Sequence, residues 1–142
     1  MELHKINDDL TVAGQIDAGA VPLLAERGFR SIICNRPDGE APDQPDSGAI
    51  EQAAAAQGMR FVNLPVSPNS IGDTDASAFA KALDELPKPI LAYCRSGTRS
   101  AVLWSLSQAG KRPVQEILLS AMRAGYDMSA LVPRLQKLHD RG

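Results

Sequence analysis

The segment Tyr93-Cys94-Arg95-Ser96-Gly97-Thr98-Arg99-Ser100 holds the residue types from which cysteine chemistry is built. A short apolar run that ends at Tyr93 is predicted to be a strand, and a helix is predicted to begin near Arg99. A loop of small residues at a helix N-terminus points backbone N–H groups inward and forms a cradle for an anion. The positive helix end and the Arg99 guanidinium favour the thiolate of Cys94. The segment therefore predicts a nucleophile that faces an anionic or electrophilic substrate.

Each residue of this loop has an expected role. Arg99 presents a fork of N–H donors that fits the oxygens of a phosphate or a sulfonate. Gly97 allows backbone angles that are closed to other residues. Arg95 either contacts an anionic substrate or is a solvated charge at the rim. We therefore expect Cys94 and Arg99 to be catalytic, and the residues between them to bind substrate: Arg95, Ser96, Gly97 and Thr98.

Strand and helix patterns alternate along the 142 residues around this segment. Such alternation predicts an α/β fold with a central, mostly parallel sheet and helices on both faces. Strands are predicted at residues 10–13, 29–34, 59–64 and 90–93, and helices at 17–27, 46–57, 73–86, 99–109, 113–125 and 128–139.

Composition narrows the class of protein. Apolar residues make up 44% and charged residues 23%, so we expect residues 1–142 to form one globular domain. A net charge of −2 supplies no basic field for nucleic acid or for an anionic membrane surface. Two cysteines are too few for a disulfide framework, which favours a reducing, cytoplasmic location. The scattered cysteines and histidines match no metal-ligand spacing, and we expect no cofactor.

The loop from Cys94 to Ser100 resembles the active-site loop shared by cysteine phosphatases and rhodanese sulfurtransferases. The wider chain resembles the phosphatase-like domain of the β-lactamase hydrolase-like family, which implies the fold of dual-specificity cysteine phosphatases. Five further segments carry this resemblance: Val12-Ala13-Gly14-Gln15, Gly28-Phe29-Arg30, Asn35-Arg36-Pro37-Asp38-Gly39-Glu40, Leu64-Pro65-Val66 and Ala124-Gly125-Tyr126-Asp127.

Three departures from the phosphatase pattern favour sulfur transfer. Four residues separate Cys94 from Arg99, as in the usual rhodanese loop, whereas phosphatases of the resembled class have one residue more. The tighter ring suits a persulfide sulfur better than a tetrahedral phosphoryl group. Phosphatases of this class have an acidic residue soon after the fourth strand, but here no acidic residue occurs before Asp73. They also have a histidine at the position before the catalytic cysteine, which is Tyr93 in this chain. Thiolates leave readily without a strong acid.

The leading expectation is therefore a sulfurtransferase. A sulfane sulfur would pass from an anionic donor, such as thiosulfate or glutathione persulfide, through a Cys94 persulfide to a thiol acceptor. The alternative is a dual-specificity-type phosphatase that acts through a phosphocysteine, with Asp73 or, less favoured, Asp38 as the general acid. A third hypothesis is a non-catalytic anion-binding module. A metallo-β-lactamase-like persulfide dioxygenase on a separate chain is a candidate protein partner.

The resemblance implies roles for residues outside the loop as well. By analogy with the phosphatase class, the hydroxyl of Ser100 is expected to hydrogen-bond the thiolate. Asn35 and Arg36 end the neighbouring strand in the resembled fold, so they are expected to shape the pocket wall. Glu40, like Asp38, is expected only to solvate the loop. Cys34 is expected to be a small buried residue, with a resolving thiol for Cys94 as the alternative.

Overall fold

A computed structural model describes residues 1–141 and contains a five-stranded sheet in the order β1-β2-β5-β3-β4. Strand β1 is antiparallel to β2, and the other neighbours are parallel. The predicted α/β architecture is therefore confirmed. The strands are β1 (Leu3–Lys5), β2 (Leu10–Ala13), β3 (Ser31–Cys34), β4 (Arg60–Asn63) and β5 (Ile90–Tyr93). The helices are α1 (Val21–Glu26), α2 (Ser47–Ala56), α3 (Asp73–Glu85), α4 (Thr98–Ser107), α5 (Val114–Arg123) and α6 (Val132–Arg141).

Two apolar cores lie on opposite faces of the sheet, because successive side chains of a strand point to opposite sides. In β5, Leu91 and Tyr93 pack in the core that holds residues of α1 and α2. Ile90 and Ala92 pack in the larger core, which holds residues of α3, α4, α5 and α6. Every residue of β5 is buried, as expected for a central parallel strand that is covered on both faces.

Two differences from the sequence prediction have simple causes. Strand β1 was not predicted, because its two half-buried residues and one exposed residue at the sheet edge carry little apolar pattern. The predicted helix at 17–27 is a 3₁₀ turn, Ala18–Ala20, followed by α1. Pro22 lies in the first turn of α1, where the missing N–H needs no partner. None of the helices in residues 1–141 is both long and apolar enough to span a bilayer.

The loops after β2, β3 and β5 meet at one edge of the sheet. The register pairs Tyr93 of β5 with Ala13 on one side and with Cys34 on the other. The N–H of Cys94 donates to the Ala13 carbonyl (3.3 Å), and the N–H of Asn35 donates to the Tyr93 carbonyl (2.8 Å). Ligands of open α/β sheets bind at this carboxyl edge, so the fold places Cys94 where a site is expected.

Candidate active site

Cys94 follows the last residue of β5 and is 1% exposed. Its Sγ accepts a hydrogen bond from the backbone N–H of Gly97 at 3.1 Å. Gly97 has a φ of 91° and precedes the first residue of α4. The loop therefore folds back so that an amide near the positive end of a helix contacts the sulfur, an arrangement that stabilises negative charge on it.

Two carbonyl groups of the loop accept hydrogen bonds from residues outside it. The Arg95 carbonyl accepts from the N–H of Gln15 (3.2 Å), and the Ser96 carbonyl accepts from the Tyr126 hydroxyl (3.1 Å). Burial, followed by the nearby charge of Cys94, raises the pKa of Tyr126, so its hydroxyl remains a donor at neutral pH. These two contacts help to hold the loop in place beside Gln15 and Tyr126.

Several amides of this loop are left without a protein partner. Five backbone N–H groups in and just after the loop have no hydrogen-bond acceptor within residues 1–141. The next N–H along α4, that of Ala101, donates a hydrogen bond to the Gly97 carbonyl (2.9 Å). An anion held over Cys94 would supply the missing acceptors, which is the expected behaviour of a helix N-terminus. The unpaired donors are the N–H groups of Arg95, Ser96, Thr98, Arg99 and Ser100.

Gly97 is required by space as well as by backbone angle. A Cβ at this position would overlap the Tyr126 hydroxyl and would come within 2.9 Å of Val12 Cγ1. The chain thus approaches both β2 and the segment after α5 more closely than any side chain allows. This close approach is what brings the Gly97 amide to the sulfur.

Arg99, in the first turn of α4, is buried and firmly held. Its Nη1 and Nη2 donate to the two carboxylate oxygens of Glu40, each at 2.8 Å, and Nη1 also donates to the Val66 carbonyl at 3.0 Å. These bonds occupy three of the five N–H donors of the guanidinium. Within residues 1–141, the Nε–H and one Nη2–H have no acceptor, so both remain available to an anion.

Glu40 is a clamp between two buried arginines, which corrects the expectation that it only solvates the loop. Besides Arg99, its Oε1 accepts from Nε of Arg36 at 2.9 Å, and Arg36 Nη1 donates to Gln15 Oε1 at 3.0 Å. The two hydrogen bonds from Arg99 and then the one from Arg36 lower the pKa of Glu40 to about 2, against an ordinary 4.5. The carboxylate is therefore ionised at neutral pH.

Ser100 and Asn35 bind each other beneath the loop. The Ser100 hydroxyl donates to Asn35 Oδ1 at 2.8 Å, and Asn35 Nδ2 donates to the Leu64 carbonyl at 2.9 Å. The Ser100 hydroxyl has a single proton, which it donates to Asn35. It therefore does not donate a hydrogen bond to Cys94, contrary to the expectation from the phosphatase class. Asn35 is fully buried and ties β3, β4 and α4 together, below the pocket wall in which it was expected.

A cleft of about 620 Å³ opens beside the loop. Arg36 lies in its wall, as expected, and Arg95 is exposed at its rim. Cys94 is covered by the loop and is not part of the cleft surface. The lining combines charged, hydroxyl and apolar side chains: Arg36, Glu40, Arg95, Arg99, Ser96, Thr98, Ala41, Pro42, Pro68, Ile71 and Val102.

Neither aspartate considered as a general acid lies in this cleft. Asp73 lines a separate cleft, and its Oδ1 accepts from Arg134 Nη2 at 2.9 Å. That contact lowers the pKa of Asp73, so the group is a carboxylate and not a proton donor at neutral pH. Asp38 accepts from the N–H (2.8 Å) and the hydroxyl (2.7 Å) of Ser47, at the start of α2.

Cys34 is buried at 1% exposure, and its thiol donates to the Arg36 carbonyl at 3.3 Å. Burial raises the pKa of Cys34, so the side chain is a protonated thiol. Cys34 therefore helps to fix the backbone that carries Arg36.

Sequence reasoning assigned no site role to Glu40, Gln15 or Tyr126. Each of them lies in a segment that carried the family resemblance, and each contacts the loop or its arginine. The segments themselves were the available signal, because they come together around Cys94.

Comparison with known proteins agrees with this geometry. Residues 2–111 match the family described as "Beta-lactamase hydrolase-like protein, phosphatase-like domain". A beta-lactamase hydrolase-like protein of Agrobacterium fabrum is 37% identical over 139 residues, which are 96% of this chain and 32% of that protein. Its namesake in Xylella fastidiosa is 34% identical with the same coverage. The chain thus spans about a third of the length of these curated relatives.

Solved structures agree as well. A Neisseria meningitidis protein described as a candidate phosphatase is 34% identical, with a TM-score of 0.86 over 97% of this chain and 99% of that one. The active form of Tk-PTP is 16% identical, with a TM-score of 0.76 over 99% and 97% of the two chains, and shows that the fold is shared. The comparisons favour the phosphatase alternative and give no support to the sulfurtransferase expected from loop spacing. With the loop, the sheet order and these matches in agreement, the chain belongs to the beta-lactamase hydrolase-like family, as its phosphatase-like domain.

Proposed function

We propose that this chain is a cysteine-dependent phosphatase that acts through a phosphocysteine on Cys94. One observation carries the proposal. The buried sulfur of Cys94 accepts a hydrogen bond from a loop amide, and the neighbouring loop amides have no hydrogen-bond acceptor within residues 1–141. A phosphoryl group in transfer spreads charge over its equatorial oxygens, and such donors stabilise that charge. The family match and the structural neighbours support this choice of reaction.

The proposed reaction has two steps. Cys94 Sγ attacks phosphorus, and the bond between phosphorus and the leaving oxygen breaks. Water then attacks the phosphocysteine, the P–S bond breaks, and inorganic phosphate is released as the thiolate returns. Splitting the reaction in this way is the usual benefit of a covalent nucleophile.

Arg99 takes part without leaving its partner. Glu40 and the Val66 carbonyl hold one side of the guanidinium, and the two remaining N–H donors are available to phosphoryl oxygens. A planar fork fixed in this way needs little reorganisation when charge develops in the transition state. The Glu40 clamp therefore preorganises Arg99 for binding the anion.

Sulfur transfer is kept as a second candidate because of one observation, the four-residue spacing between Cys94 and Arg99. The same sulfur and the same amides would then hold a persulfide and the oxygens of an anionic donor. A thiol acceptor would remove the outer sulfur by thiol exchange.

A parallel assay on one preparation tests both functions. Phosphate release from 4-nitrophenyl phosphate and from acetyl phosphate is measured beside sulfur transfer from thiosulfate and from glutathione persulfide. We expect phosphate release that is abolished in Cys94→Ser and retained in the matched variant Cys34→Ser. Sulfur transfer without phosphate release would replace the proposal with the second candidate. Phosphate release that survives Cys94→Ser would exclude a phosphocysteine.

A further inference from the structure

The charged side chains that line the cleft beside Cys94 are poorly suited to act as a general acid at neutral pH. Three of them are the guanidinium groups of Arg36, Arg95 and Arg99, and arginine does not deprotonate in proteins. The fourth, Glu40, is the only carboxylate in the lining of this cleft, within the described part of the chain. It is clamped by two arginines through three hydrogen bonds and stays ionised.

Arg95 differs from the other two arginines. It is exposed at the rim, and no carboxylate among residues 1–141 pairs with it. Arg36 and Arg99 share the one carboxylate of Glu40, so the lining carries a net positive charge, and Arg95 is the arginine in it that contacts no carboxylate of residues 1–141. A group that leaves the phosphorus toward the rim would meet a cation and not an acid.

From this arrangement, and on the basis of the proposed phosphatase function, we propose that the substrates are phosphoric anhydrides. In these compounds the transferred phosphoryl group is bonded to the oxygen of a phosphate ester or of a carboxylate. Such groups leave as stable anions without being protonated, whereas an alkoxide needs a general acid. The guanidinium of Arg95 stabilises the departing anion, and the loop amides with Arg99 hold the phosphoryl oxygens.

The bonds and charges balance without an acid. The Cys94 thiolate forms the S–P bond, and the anhydride oxygen departs with the bonding pair as a phosphate ester or a carboxylate anion. Water then bonds to phosphorus, and the S–P electrons return to sulfur as the thiolate. Both protons of the water end on the released dihydrogen phosphate.

The dependence of rate on the leaving group tests the proposal. Values of kcat/KM are compared for acetyl phosphate, methyl diphosphate, 4-nitrophenyl phosphate, phenyl phosphate and glycerol 2-phosphate with the intact chain. We expect the two anhydrides to exceed glycerol 2-phosphate by about 10²–10⁴-fold, the contribution that a positioned general acid would otherwise make. The faster anhydride identifies the preferred leaving group, carboxylate or phosphate.

Rates within tenfold across the series would overturn the anhydride proposal and leave the phosphatase function standing. Absence of phosphate release from every compound would overturn both. Two variants sharpen the test. Arg95→Gln is expected to lower kcat/KM for methyl diphosphate by about tenfold to a hundredfold, as for loss of a charged hydrogen bond. The exposed Arg123→Gln serves as its control.

The variant Asp73→Asn tests whether Asp73, which lines a separate cleft, nevertheless acts as a general acid. The anhydride proposal expects the same leaving-group dependence in this variant as in the parent. A selective loss of activity on glycerol 2-phosphate would show that Asp73 protonates poor leaving groups, and that result would contradict the proposal.

Discussion

Replacement of Glu40 by glutamine removes the negative charge that two buried arginines share. The side chains of Arg36 and Arg99 are 6% and 9% exposed, so water cannot replace the lost carboxylate well. The glutamine amide keeps one acceptor oxygen but turns donor N–H groups toward a guanidinium. We therefore predict a measurable loss of stability in Glu40→Gln, together with a weaker hold on Arg99.

The size of the effect follows from the pKa of Glu40, about 2 against an ordinary 4.5. Each pKa unit corresponds to about 1.4 kcal/mol, which sets an upper bound of about 3 kcal/mol. Glu40 itself is exposed to solvent, and screening reduces the expected contribution of its ionised carboxylate at pH 7 to about 1–2 kcal/mol. The folded-state pKa is lowered, so this stability is fully present above about pH 4.5. It is lost as the pH falls toward about 2.

Urea unfolding of the parent and of Glu40→Gln at a series of pH values measures this difference. We expect a loss of about 1–2 kcal/mol at pH 7 that shrinks by more than half by about pH 3. The control is Glu116→Gln, whose carboxylate is 57% exposed and lies 3.9 Å from Arg112. Because this i,i+4 pair is exposed, its expected effect is below about 0.5 kcal/mol. A loss for Glu40→Gln no larger than that of the control at pH 7 would refute the clamp.

Three further substitutions test the loop. Gly97→Ala is predicted to lower the free energy of unfolding by about 1–2 kcal/mol because of the positive φ, and by more because of overlap with the Tyr126 hydroxyl. Adding Tyr126→Phe to that variant should restore part of the lost stability, as measured by urea unfolding. Tyr126→Phe alone should cost about 1 kcal/mol, because the Ser96 carbonyl loses its donor. Ser100→Ala should cost about 1–3 kcal/mol by leaving Asn35 Oδ1 unpaired, with an unchanged pH profile of kcat/KM. A shifted profile would show that the hydroxyl serves the thiolate after all.

Most of the fold was predictable because its strands and helices are indicated by short, continuous stretches of the sequence. Strand β5 is a short apolar run between prolines and the loop, and its four buried residues match the prediction. A proline is compatible with a helix only in its first turn, and the structure places Pro22 in the first turn of α1. Strand β1 was missed because edge pairing depends on a neighbour that is distant in sequence and leaves no periodic pattern in three residues.

The site was predictable only where its residues are adjacent. Cys94, Gly97 and Arg99 lie within one loop, so their order alone indicates an anion cradle. Glu40 is 59 residues from Arg99, and no spacing rule connects them. Composition assigned Glu40 to a polar loop, because an acidic residue among prolines and glycines is usually solvated.

The central claim is that Cys94 becomes a phosphocysteine during turnover. The most direct measurement is mass spectrometry of the chain after rapid acid quenching of separate reactions with acetyl phosphate and with glutathione persulfide. We predict a covalent gain of one phosphoryl group, located on Cys94 by peptide mapping and absent in Cys94→Ser. A gain of one sulfur atom on Cys94 from the persulfide, with no phosphoryl adduct from acetyl phosphate, would contradict the account.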